Sequence, residues 1–238
     1  MLFNYHICSL EDWGKVFQNI KIFEPLVAHI AREHDIEYSG IGKCKPGSNA
    51  VFHVGKYIFK IFAPEESGIG GEDDFISEKF GIMRANRLNI PAPKLFASGV
   101  IYDKYLFRYL ILEYIEGEPL ADISGKLSGA ERFKTGRLLR KIVDRMDIPC
   151  EKFNNHDLHS KQAEDRWKAF PPCFQRERKE YLKAHKGHLE VYVHGDLNPD
   201  NIIVKANKEI CLIDFADALT GPVELELAAV ICDGFKFD

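Results

Sequence analysis

Residues 191–218, VYVHGDLNPDNIIVKANKEICLIDFADA, restrict what this chain can fold into more than any other stretch. Runs of β-branched residues normally lead into a core, yet here His194, Asp196, Asn198, Asp200 and Asn201 interrupt them. The apolar runs at 202–204 and 210–213 flank the polar turn KANKE, which is a β-hairpin signal. With Lys205 paired to Ile210 in an antiparallel ladder, Asn201 falls opposite Asp214, so two oxygen donors meet at one end of one hairpin. An amide oxygen and a carboxylate suit Mg²⁺, a hard cation that keeps several waters and takes its remaining ligands from phosphates. Asp196 lies on the loop feeding the hairpin, placed as a base or positioner for an attacking hydroxyl. Asn198-Pro199-Asp200 alone is a turn, and a lone Asp before Phe215 is a strand end. Their combination at hairpin spacing points to a site.

The rest of the chain can house such a site. Its 238 residues, 45% of them hydrophobic and 12% aromatic, build one large domain or two lobes with a real core. A net charge of -4 leaves no electrostatic footprint for nucleic acid, and no basic patch or apolar run suits a membrane. The opening MLFNYHICSL lacks a basic leader, so the expected location is cytoplasmic. The six cysteines contain no C-x-x-C pair, which suits reduced thiols; Cys173 with His185 and His188 is the nearest approach to zinc spacing and lacks a fourth partner.

Ser9 followed by Glu11 and Asp12 reads as a helix N-cap, with Trp13, Val16, Phe17 and Ile20 recurring at helical spacing. From about Glu37 the pattern becomes glycine-rich and then β-rich, with two runs joined by Gly55-Lys56 as a hairpin. Phe75 to Leu88 returns to helix, with Ile76, Phe80 and Met83 on one side, and YLFRYLILEYIEG supplies another strand. Between Glu118 and Glu190 the texture is helical and charged, with 16 Lys and Arg against 12 Asp and Glu, a local balance of +4.

Strand alternation puts Lys60 of YIFKIF on the face of Ile58 and Phe62, where a lysine is costly to bury unless it meets an anion; a phosphate would explain it. Two glycine-rich stretches compete to hold that phosphate. SGIGG at 67–71 runs into Glu72, Asp73 and Asp74, whose charge repels phosphate, whereas GKCKPGSNAVF offers backbone N–H groups at Gly47, Ser48 and Asn49. The second is the expected phosphate loop. Its glycines have Walker-like spacing but lack the following Lys-Ser/Thr, which argues against a P-loop NTPase.

VHGDLNPDNIIV followed by LIDFADA resembles the catalytic loop and metal-binding strand of the aminoglycoside phosphotransferase and choline kinase group of small-molecule kinases. The resemblance spans about residues 38–230 and implies an α+β, protein-kinase-like two-lobed fold: a small N-terminal antiparallel sheet with a helix, then a mostly α-helical C-terminal lobe. The expected organisation is an N-terminal helical segment (1–37), a nucleotide-binding N-lobe (38–117), and a helical C-lobe (118–238) that is either compact or cut short at its end. By the same resemblance Asp196 is the catalytic residue, Asn201 and Asp214 hold Mg²⁺, and His194 is a structural support. Lys60 meets the α/β-phosphates with Glu78 as its helix partner, and backbone groups of Glu113 and Ile115 receive the purine edge. The implied activity is transfer of the γ-phosphate of ATP or GTP to a hydroxyl of a small molecule such as an aminoglycoside, amino alcohol or sugar; the alternative is a catalytically silent nucleotide-binding module. Gly195 and Ala216 depart from the His-Arg-Asp and Asp-Phe-Gly motifs of protein kinases, and Glu226 stands where the family commonly carries Asp.

Overall fold

Ser9 opens the first helix as its cap: the hydroxyl accepts from the Asp12 N–H at 3.2 Å, with Glu11 and Asp12 in the first turn. This is α1 (Leu10–Val16) in the computed structural model, which describes residues 1–45, 47–158, 160–184 and 190–234, apart from the side chains of 162, 163, 166, 233 and 234. The helical spacing does not continue unbroken to Ile20; Phe17 closes α1, and Asn19 precedes a separate α2 (Ile20–Glu33).

The chain then enters a five-stranded antiparallel sheet. β1 (Gly42–Lys43), β2 (Ala50–Val54) and β3 (Tyr57–Ile61) precede α3 (Gly71–Arg87), and β4 (Leu95–Tyr102) and β5 (Leu106–Glu113) complete the order β1-β2-β3-β5-β4. The two-residue turn at Gly55-Lys56 joins β2 to β3 as expected, with Gly55 at φ 59, a conformation glycine adopts at little cost. The sequence reading counts one strand where β4 and β5 form a hairpin. LFASGVIY conceals β4 because Ser98 and Gly99 dilute its apolar pattern, and a Cβ on Gly99 would lie only 2.4 Å from the Tyr109 hydroxyl.

Strand alternation divides the sheet into two faces. Phe52, Phe59, Ile61, Phe107 and Ile111 meet Phe3, Trp13, Phe23, Leu26 and Ile30, so residues 1–37 form a helical layer over one face. Phe62, Leu110 and Leu112 belong to the opposite face, where α3 and the C-terminal half pack. The buried side of α3 also differs from the expected stripe. Ser77, Glu78, Gly81, Ile82 and Ala85 are buried whereas Met83 is 53% exposed. Apolar periodicity misleads here because the inward face carries the buried carboxylate of Glu78 and a close contact: a Cβ on Gly81 would stand 2.7 Å from Phe215.

The C-terminal half begins with β6 (Glu118–Pro119), α4 (Leu120–Ile123) and α5 (Gly129–Met146), the last opened by a capping box between Ser128 and Glu131. α6 (Lys161–Trp167) and α7 (Pro172–Ala184) follow, then β7 (Glu190–Val193), β8 (Ile202–Val204), β9 (Ile210–Leu212), β10 (Leu219–Pro222) and α8 (Val223–Ala229). α5 buries Leu139, Ile142, Val143 and Met146 in the core shared with Leu197, Ile202, Leu212 and Phe215. β7 pairs with β10, and β6-β8-β9 form a three-stranded sheet. His185 and His188 of the zinc-like spacing lie outside the described residues. Among the described residues no helix is long and apolar enough to cross a membrane.

Candidate active site

β3 delivers Lys60 to the sheet face opposite the N-terminal helices, where it is only 5% exposed. Burial of an ammonium is unfavourable unless charged partners surround it. Two do: Nζ lies 2.9 Å from Glu78 Oε2 on α3 and 2.6 Å from Asp214 Oδ1 just beyond β9. Burial opposes the lysine's charge, but the two carboxylates outweigh it and hold the ammonium above the ordinary lysine range. Burial also raises Glu78, to about 7, against the pull of Lys60. In Asp214 burial is overcome by Lys60, and its carboxyl stays below the usual range. The backbone of Asp214 is left-handed at φ 63, a costly conformation for a residue with a side chain and one that clusters at functional sites.

The β8–β9 hairpin that carries this aspartate has a register one residue away from the expected pairing. Val204 faces Ile210, Lys205 N–H donates to Glu209 O, and Asn201 O accepts from Ile213 N–H rather than facing Asp214. The cause is the turn: Lys208 adopts φ 65, which closes a three-residue loop where the expected pairing leaves four. Asp214 is thus one step beyond the paired end, where its turned backbone aims the carboxylate at Lys60.

Between β7 and β8 the polar loop is fastened from within and from behind. Asn201 Nδ2 donates to the Asp196 carbonyl at 2.8 Å and to its Oδ2 at 2.9 Å, while Asn198 Nδ2 donates to Asp196 Oδ1 at 2.9 Å. Asn198 Oδ1 also accepts from Asp200 N–H, the turn role expected of that pair. Asp200 has a second contact that its turn position does not reveal, at 2.5 Å from Lys45 Nζ in the loop between β1 and β2. Behind the loop, Glu226 of α8 accepts from His194 N–H at 2.6 Å and Gly195 N–H at 3.2 Å through one oxygen. Burial raises this carboxyl to about 7, with the two backbone donors opposing. His194 is fully buried, its Nε2 3.0 Å from Ile213 O. Gly195 sits at φ 82 with no room for a Cβ, which explains why arginine is not accommodated there.

Glu226→Ala strands one buried and one partly buried N–H group and frees the loop, so the expected result is a fold destabilised by about 1–3 kcal/mol and a kcat lowered roughly tenfold to a hundredfold. Glu226→Gln keeps an acceptor oxygen and should retain most of both. Comparison of kcat and urea midpoints in the two variants tests this; equal losses would show that the acceptor geometry is unimportant.

A cleft of about 430 Å³ lies between the sheet and the β8–β9 hairpin. Nine of the ten residues given a catalytic, nucleotide-binding or metal role by sequence line it: Gly47, Ser48 and Asn49 from the loop before β2, Lys60, Glu78, Glu113 and Ile115, and Asn201 and Asp214. Asp196 is the exception, set behind Asn201 and joined to it by the hydrogen bonds above. SGIGG lies elsewhere, turning at Gly68 (φ 75) into α3, with Gly71 so close to Ala63 O that no Cβ fits. Sequence reasoning passed over His53 and Tyr114, whose rings lie 4.1 Å apart at the cleft wall; His53 alternates in β2 and Tyr114 follows the end of β5, and neither position signals a shared site.

As a cation site the cleft offers one carboxylate and one amide oxygen from Asp214 and Asn201, hard donors of the kind Mg²⁺ takes. Among the described residues no three His, Cys, Asp or Glu side chains converge on a metal site, so a cation there would complete its shell with water or phosphate. Outside the cleft, Asp217 is raised first by burial and then by Asp196, Asp214 and Asp74, which marks an acidic neighbourhood around Asp196.

The model of the phosphotransferase enzyme family matches residues 46–237. Among solved structures, the GDP complex of aminoglycoside 2'-phosphotransferase-IIIa superposes with a TM-score of 0.65 at 14% identity, covering 88% of this chain and 77% of that one. Aminoglycoside phosphotransferase APH(3'')-Id from Streptomyces rimosus ATCC10970 gives 0.62 at 18% identity, with 89% and 84% covered. A choline/ethanolamine kinase family protein from Mesorhizobium loti gives 0.60 at 12% identity, with 90% and 72% covered. At such identities the likeness is one of fold, and that fold is the kinase-like α+β architecture. No curated protein sequence matches the chain.

Proposed function

This chain belongs to the phosphotransferase enzyme family, and from that premise we propose that it transfers the γ-phosphate of ATP or GTP to a hydroxyl of a small molecule. The observation that carries the reading is the Lys60–Glu78–Asp214 cluster in the cleft, its lysine and glutamate buried and its aspartate partly exposed, with Asn201 lining the same cleft and hydrogen-bonded to Asp196 outside it. A structural ion pair would not require a lysine held between two carboxylates at the edge of a large cleft. A ligand with negative oxygens gives Lys60 a partner of the kind its position demands.

In this reading the base enters between Ile58 and Ile203, its edge against backbone groups of Glu113 and Ile115, and the phosphates extend toward Lys60 and the loop at Gly47, Ser48 and Asn49. Lys60 orients the phosphates, and Glu78 keeps the lysine pointed into the cleft. Mg²⁺ held by Asn201 and Asp214 would neutralise charge on the β- and γ-phosphates. The acceptor hydroxyl approaches from the side of Asp196, whose carboxylate takes its proton as the acceptor oxygen bonds to phosphorus and the bond to the β-phosphate oxygen breaks. Asn201 fixes the orientation of Asp196 while contributing its own amide oxygen to the cleft, so one hydrogen-bonded pair links the two halves of the reaction.

The decisive measurement is nucleotide consumption with ATP and with GTP, in Mg²⁺ and in EDTA, across aminoglycosides, amino alcohols, choline-like amines, sugars and macrolides. Acceptor-dependent formation of a nucleoside diphosphate that EDTA abolishes is expected. Mg²⁺-dependent nucleotide binding without turnover on any acceptor would instead indicate a silent nucleotide-binding module.

A further inference from the structure

The family match begins at residue 46, yet the loop that lines the cleft at Gly47, Ser48 and Asn49 is fastened by a residue well before it. Trp13 of α1 is 1% exposed, and its indole Nε1–H donates to the Ser48 carbonyl at 2.8 Å. The ring itself is fixed by Phe17 and Phe23, at 6.1 and 5.9 Å between centroids. The N-cap at Ser9 sets where the helix begins.

The consequence follows from sheet faces and peptide geometry. α1 lies over the face formed by Phe52, Phe59 and Ile61, while Lys60 opens on the other face into the cleft. Trp13 therefore holds the Ser48 carbonyl toward the face away from the cleft. A trans peptide directs its C=O and N–H oppositely, and the chain contains no cis peptide among the described residues, so the Asn49 N–H is turned toward the cleft. Among the described residues this N–H meets no acceptor. The Asn49 side chain secures the far end of the same unit, its Oδ1 accepting from Ala63 N–H at 3.2 Å and its Nδ2 3.4 Å from Asp74 Oδ2. A donor that meets no acceptor among the described residues, on a peptide gripped at both ends and facing a cleft with a buried lysine, is preorganised for an anion.

We propose that Trp13 is a positioning residue for the nucleotide's phosphates, presetting the Ser48–Asn49 peptide so that its N–H points into the cleft. This rests on the nucleotide-binding reading above. The helical layer formed by residues 1–37 then has a role in substrate binding besides covering the sheet.

Trp13→Phe keeps an aromatic ring in the core and removes the N–H; benzothienylalanine at position 13 keeps the ring size and replaces the N–H by sulfur. Calorimetry should first establish which of ADP and GDP the wild type binds, with adenosine and guanosine as probes that lack phosphate. In both variants the expected result is about five- to tenfold weaker binding of the diphosphate with the nucleoside unchanged, and a raised triphosphate KM with kcat within about twofold. A structural role would weaken diphosphate and nucleoside together, and that result, or no change in either, overturns the proposal. Should Trp13→Phe fail to fold, the sulfur isostere decides. A wild type that binds neither diphosphate sinks the functional reading and this inference with it, whereas normal wild-type binding with an unchanged ratio of diphosphate to nucleoside affinity in the variants sinks this inference alone.

Discussion

Asp196→Ala is expected to lower kcat about a thousandfold while leaving nucleotide affinity and the melting temperature close to those of the wild type. The size follows from the proton-acceptor role proposed for Asp196, whose loss has an effect of about 10²–10⁴ in rate. The selectivity follows from the hydrogen bonds around it. Asn201 Nδ2 donates to the Asp196 carbonyl as well as to its carboxylate, so truncating the side chain leaves the 2.8 Å backbone bond that holds Asn201 at the cleft. Glu226 still fastens His194 and Gly195 from behind, and Asp196 itself does not line the cleft. Steady-state kinetics with an acceptor found by the panel, calorimetry with the nucleotide and a thermal melt together test this. A variant retaining more than about a tenth of wild-type kcat would remove Asp196 from the base position.

The same contacts show why some of this architecture is legible in the amino-acid order and some is not. Asp196, Asn201 and Asp214 lie within one loop and hairpin, so their meeting depends on local turn chemistry that Asn, Pro and Gly announce. Within that hairpin the register escaped by one residue because Lys208 adopts a left-handed conformation usually signalled by glycine or asparagine. Lys60 was legible as an oddity, a charge on an apolar strand face, but its partner Asp214 is 154 positions away and only the closed fold brings them together. The buried side of α3 was misread because Ser77, Glu78 and Gly81 face inward for contact with the site and with Phe215, where an apolar stripe would ordinarily lie. Trp13 fits the apolar spacing of its helix so well that nothing in the pattern reveals the polar task of its indole, 35 residues from Ser48.

Lys60→Met should abolish transfer and also cost the fold about 3–5 kcal/mol at alkaline pH, because it removes the cation from the buried pair with Glu78, and from the partly exposed Asp214, while nearly preserving side-chain volume. The cost should shrink as the pH falls. Burial raises Glu78 to about 7 in the wild type even though Lys60 pulls it down. A carboxyl raised in this way contributes fully to stability below its ordinary value of 4.5 and loses that contribution as the pH rises through about 7. Asp214 runs the other way: Lys60 overcomes burial and holds it below 3.8, so its contribution is present above that value and is lost only in stronger acid. Without Lys60, burial acts on Glu78 unopposed, its carboxyl climbs further, and at high pH the fold must contain two carboxylates with no cation between them. Urea unfolding in EDTA at pH 5.5 and pH 8.5 should therefore show a larger gap between variant and wild type at the higher pH. Lys60→Met combined with Glu78→Gln should recover part of the stability at pH 8.5 and none of the activity, since the glutamine removes the stranded charge but nothing replaces the ammonium beside the phosphates. If Lys60→Met unfolds at the wild-type urea concentration at both pH values, the three groups do not hold one another as the 2.9 and 2.6 Å contacts require.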